Sequence, residues 1–132
     1  MNEHISLLLK VFRIELEEVE NDVVGLLDIY AKRFNNHEIT PYVWMENQAL
    51  LKKELGCVKE LERDLASWKP DLTRSAHDVL EELKSYLKGL AVERGYPELV
   101  GLVIERIGEK VIRYMEYDIW SKEGSWKFNS KN

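Results

Sequence analysis

One cysteine stands in 132 residues, so neither an intrachain disulfide framework nor a thiolate metal cluster can be built from this chain. Histidine occurs three times, at positions 4, 37 and 77. His4 and His37 flank one long helical pattern and lie about 45 Å apart by helical rise, so no single metal ion reaches both. The seven glycines occur singly, and none forms the glycine-rich loop that cradles a phosphate. Apolar runs are short: Ile5–Leu9 is far too short to span a bilayer and later stretches are broken by charges, so no membrane span is expected. The opening Met-Asn-Glu-His has no basic segment of the kind that precedes a signal-peptide core, which points to the cytoplasm. Basic residues are in the minority as well. Residues 1–68 hold 13 acids against 8 bases, a balance of −5, and residues 69–132 hold 11 of each, a balance of zero. A nucleic-acid binder needs a basic stripe, so no nucleic-acid partner is expected.

What is present is an ordinary globular composition, 45% hydrophobic and 33% charged, arranged in four helical stripes. Ile5, Leu8, Phe12, Leu16, Val19, Val23, Leu27, Tyr30 and Phe34 step by three or four and predict a helix over 3–34. Thr40 caps and Pro41 opens a second helix over 41–67, striped by Trp44, Asn47, Leu51, Leu55, Val58, Leu61, Leu65 and Trp68. Asp71 or Thr73 caps a third over 72–94, with Leu72, Ala76, Val79, Leu83, Leu87 and Leu90, stopped by Gly95. Pro97 opens a fourth over 97–120, with Val100, Ile104, Ile107, Val111 and Tyr114, followed by Asp118 or Ile119. Short breaks between long helices make chain neighbours antiparallel, so the expected fold is an all-α, up-down-up-down four-helix bundle over 1–120 with a polar tail over 121–132.

The bundle class invites specific chemistries, and the residues argue against each. A ferritin-like di-iron centre needs Glu-x-x-His on two helices, yet Met1, Phe34 and Arg74 stand three residues before the histidines. No metal or other cofactor is therefore expected. His77 and Glu81 form an i,i+4 pair that reads as exposed polar surface, and Cys57 flanks an apolar stripe as a small hydrophobe. Arg33 and His37 resemble the Arg–His pair of helical-bundle RNases of the HEPN type, although the family's signature keeps a longer spacer than Phe34-Asn35-Asn36. That resemblance implies a nuclease or toxin as an alternative. The other reading makes Lys32 and Arg33 a basic helix C-terminus that complements the helix dipole.

Some residues ask for an explanation beyond one core. Leu7, Val11 and Ile14 form a second row on helix 1, and Leu99, Leu102, Ile112 and Tyr117 widen helix 4. In an up-down bundle the start of helix 1 meets the end of helix 4, and Trp68 and Trp120 map there too. An apolar end of this kind marks either an interface or a surface covered by Trp126 and Phe128 of the tail. At the other end gather Phe34, Tyr42, Trp44, Met45 and Tyr96, expected to close the bundle. Gly25, Gly56, Gly89, Gly101 and Gly108 lie inside helices, where close approach of a neighbouring helix is the expected reason. Asn47 within a stripe is expected to fix register between helices. Glu15, Glu17, Glu18, Glu20 and Asp22 make a dense acidic run.

These features lead to a non-enzymatic protein–protein interaction or regulatory module, self-associating as a homodimer. Leu7, Val11, Ile14, Glu17, Glu18, Tyr117 and Trp120 are its expected contact residues. An inhibitor or immunity-type protein, whose acidic first helix masks a basic partner, is the alternative within the binding class.

Overall fold

The computed structural model describes residues 2–119, and these are all-α. Four helices follow one another: α1 (Asn2–Asn35), α2 (Pro41–Ser67), α3 (Ala76–Glu93) and α4 (Glu98–Ile119). Trp120 and residues 121–132 lie outside the described set, as does the side chain of Asp118. Among the described residues there is no strand, and no helix is long and apolar enough to cross a membrane.

The helix ends follow from local chemistry. α1 stops where the His37 N–H donates to the Phe34 carbonyl (3.0 Å) and the Glu38 N–H to the Arg33 carbonyl (2.8 Å). That paired closure requires a left-handed residue, and His37 takes it with φ of 59°, where glycine is usual. Gly95 does the same for α3 at φ of 69°, with the Tyr96 N–H on the Ala91 carbonyl at 2.8 Å. Thr40 caps α2 by accepting from the Val43 N–H at 3.2 Å, and Pro41 follows at the first helical position.

α3 begins later than the sequence predicts. The Asp71 carboxylate turns back onto Thr73, accepting from its N–H (3.0 Å) and hydroxyl (2.6 Å), so the chain makes a turn and Ser75 becomes the cap. Leu72, expected on the α3 stripe, is consequently left exposed outside the helix.

Neighbouring helices run antiparallel. Leu9 and Arg13 of α1 lie beside Leu65 and Ala66 of α2, whereas Val19 and Val23 lie beside Val58 and Glu54. Leu8 lines one cavity with Met115 and Glu116 of α4, Glu15 pairs with Lys110 (3.3 Å), and Val23 lines another hollow with Leu99. Lys84 and Lys88 of α3 both reach Glu105 of α4 at 2.8 Å. Trp68 at the end of α2 stacks on Tyr86 with ring centroids 6.3 Å apart, and Arg94 just after α3 grips Asp64 of α2.

The core runs through Leu8, Phe12 and Leu16, Val58, Leu61 and Leu65, Leu80, Leu83 and Leu87, and Val100, Ile104, Ile107 and Val111. On α4 the buried position after Val111 is Met115, one step of four further on, and Tyr114 is exposed instead. Of the five mid-helix glycines only Gly108 meets a neighbour: a Cβ there would sit 2.6 Å from Cδ of Lys84, whose stem crosses α4 at that point.

Candidate functional site

The four helices differ in length, and the difference makes the site. At about 1.5 Å per residue, α1 and α2 are about 51 and 40 Å long, and α3 and α4 only about 27 and 33 Å. The α3–α4 pair packs beside the start of α1 and the end of α2. At its end toward the α1–α2 turn, Leu99, Val100 and Val103 line one hollow with Val19, Val23 and Glu54. Beyond that level α1 and α2 continue as a bare two-helix hairpin, and no residue from 24 to 50 is buried.

The buried stripe does not stop where its cover stops. Eighteen residues are five full helical turns, so positions 18 apart share one face. Leu8 is 1% exposed and Leu26, on the same face, 43%. Phe12 is fully buried, whereas Tyr30 is only half-buried. On α2, Leu61 is fully buried and Val43 is 37% exposed. Ile29 and Leu50 add further exposed apolar surface, and Tyr42 and Met45 more still near the turn. Phe34 stacks on Trp44 with ring centroids 5.7 Å apart, which ties the tip together without covering the face below it. Charge is thin here: between 24 and 50 only Asp28, Lys32, Arg33, Glu38 and Glu46 are charged, and Asp28 and Lys32 pair with each other at 3.0 Å.

The expected closure of this end is therefore corrected. Phe34, Tyr42, Trp44 and Met45 belong to the hairpin, but Tyr96 sits far down α2. Its hydroxyl donates to Glu60 and accepts from Arg94, which forms a bidentate pair with Asp64 (2.6 and 3.0 Å). Burial and the bond to Glu60 raise the Tyr96 pKa, and the bond to Asp64 raises that of Arg94. Asn47 is corrected too: its side-chain amide donates to the Val43 carbonyl of its own helix (2.8 Å), so it ties no two helices together.

The contact residues expected at the opposite end are only partly free. Leu7 and Val11 are half-buried against the core, and Ile14 (46%) and Tyr117 (70%) are exposed. Glu17 and Glu18 are exposed, the former 3.8 Å from Arg13, and Trp120 is outside the described residues. A small cavity of about 140 Å³ opens nearby between Leu8, Leu80, Ile112 and Met115, with His77 and Glu116 on its rim.

Reactive groups are dispersed. Cys57 is buried, and that burial, aided by Glu60, raises its thiol pKa, which opposes a thiolate nucleophile. Among the described residues no three His, Cys, Asp or Glu side chains come together as a metal site. His77 and Glu81 are both exposed, and Glu81 turns instead toward Lys84. Two ionic features went unread in the sequence. Lys84, 8% exposed, has its pKa raised chiefly by its bond to Glu105, and Glu105 is held low by Lys84 and Lys88. Glu62 of α2 faces Glu20 and Glu17 of α1 and is pushed up to about 7, first by burial and then by its bond to Glu20. With both carboxylates ionised, Glu62 Oε1 has no donor to satisfy it; a shared proton supplies one.

The bare face itself has a signal in the sequence. The Pro and Gly punctuation makes the first two helices much longer than the last two, and a stripe that outruns its cover is the direct consequence. No protein family, curated protein or solved structure matches the chain.

Proposed function

We propose that the protein is a non-enzymatic helical interaction module whose working surface is the uncovered face of the α1–α2 hairpin. The observation that carries this reading is the continuation of the core stripe past its cover, from Leu8, Phe12 and Leu61 to Leu26, Tyr30 and Val43. Soluble proteins rarely leave such a contiguous stripe in water without a use for it. Aromatic and aliphatic side chains with few charges are the composition of an interface core. Helices complete helical bundles, so the partner is a protein that presents an apolar helical face, as in helix-in-groove recognition. The setting we propose is the cytoplasm. Ile14 and Tyr117, flanked by the half-buried Leu7 and Val11, offer a smaller second face at the opposite end.

A photo-crosslinking residue placed at Leu26 in the native host tests the proposal, with Ser85, exposed on α3, as the control position. Protein adducts at position 26 and none at position 85 are expected. Absence of any protein adduct at position 26 overturns the reading.

A further inference from the structure

We infer that the uncovered hairpin face takes a second copy of this chain, with α1 laid antiparallel on α1 about a two-fold axis between Leu26 and Ile29. The inference rests on the interaction-module reading and names its partner. It comes from one row of α1: Asp22, Leu26, Ile29 and Arg33. These positions lie within about 60° of one another around the helix, so they form a single edge. All four are exposed, Leu26 by 43% and Ile29 by 52%.

The spacing of the row is four, three, four, which is the same read from either end. Its chemistry is acid, apolar, apolar, base, which inverts its charge on reversal. An isologous interface demands this kind of self-complementarity. With the axis midway along the row, Leu26 meets Ile29 of the second copy, and Asp22 meets Arg33 of the second copy. The symmetry makes each contact twice. Neither Asp22 nor Arg33 is in an ion pair among the described residues, although the adjacent Asp28 and Lys32 satisfy each other. Both charges of the row are therefore available to an incoming copy. Leu50 of α2 is 50% exposed and adds apolar surface to the hairpin.

The footprint also sets the strength. Twelve residues of helix are about 18 Å long, and two helices side by side are about 20 Å wide, so each copy contributes roughly 360 Å². That is well under the roughly 800 Å² per partner of a stable complex, which makes the pairing a reversible one with a Kd on the order of micromolar to tens of micromolar.

Sedimentation equilibrium of the purified full chain at concentrations of about 1 to 300 µM tests the pairing. The variants are Asp22→Arg, Arg33→Asp and an equimolar mixture of the two. All substituted positions are exposed, and circular dichroism checks that each variant keeps its helical content. The wild type should dimerise. Each single variant should weaken dimerisation at least tenfold, because both symmetric contacts become like-charged. The mixture should recover wild-type association within about threefold, because the hetero-pair restores opposite charges at both contacts. A wild type that stays monomeric at 300 µM overturns the inference, as does a mixture no better than its components. In either case protein adducts at position 26 in the host would leave the interaction reading standing with another partner. Without adducts, both fall.

Discussion

Glu62→Gln isolates the α1–α2 carboxyl pair. In the folded chain Glu62 titrates near 7 against an ordinary 4.5, because burial and the facing Glu20 and Glu17 disfavour its ionised form. The raised value fixes the sign. Folding favours the protonated carboxyl, so its stability contribution is intact below about pH 4.5 and is lost as pH climbs to about 7. At about 1.36 kcal/mol for each pH unit between the two values, the upper bound on this loss is about 3.4 kcal/mol. Solvent reaches part of the side chain and the proton is shared with Glu20, which brings the expected figure to about 1–2 kcal/mol. Glutamine has the same shape and no charge, and its amide can donate to Glu20. The variant should therefore match the wild type near pH 4 and exceed it above pH 7, by about 4–8 °C in melting temperature for a chain of this size. Thermal unfolding followed by circular dichroism from pH 4 to 8 makes the comparison. A difference that does not change with pH, or a variant less stable than the wild type at pH 8, would refute the argument.

Three further outcomes follow from particular contacts. Gly101→Ala should stabilise the chain by about 0.5–1 kcal/mol, because no atom lies within 4 Å of the added methyl. Gly108→Ala should give no such gain, because its methyl meets the Lys84 stem at 2.6 Å; equal gains in denaturant melts would contradict the contact. His37→Gly should raise stability by about 0.5–1 kcal/mol by relieving the left-handed backbone at the end of α1, and purified protein should show no RNase activity that His37→Ala abolishes. Reversing the charges of Glu17 and Glu18 should leave crosslinking at position 26 unchanged at all salt concentrations; its loss would favour the acidic, inhibitor-type alternative.

The helix count, three of the four starts and nearly all of the core could be read from the chain, because apolar steps of three and four leave little choice of buried face. The misses have local causes. Asp71 and Thr73 are both good caps, and only the bond between them shows that neither opens α3. Tyr114 and Met115 are adjacent and both apolar in part, so the step from Val111 could have been three or four; the burial of Met115 decides it. The site was misread for a different reason. Periodicity tells which face of a helix is apolar, but not how far along the face a neighbour extends. Tyr30 stands on the expected stripe yet is only half-buried, and Leu26 and Val43, 18 residues from the buried Leu8 and Leu61, are exposed; what covers that register depends on where α3 ends and α4 begins, more than 40 residues away along the chain. Glu62 gave no signal either, because nothing in its neighbourhood of α2 announces the acids that α1 sets opposite it.

The missing burial between residues 24 and 50 also frees the hairpin from the rest of the molecule as an evolving part. Seven residues added to or removed from each arm, two turns or about 10 Å, would leave the facing surfaces of α1 and α2 nearly in step and disturb no core side chain. The arm's reach could thus be retuned by paired insertions while the lower bundle, with its Lys84–Glu105 clasp, stays the same.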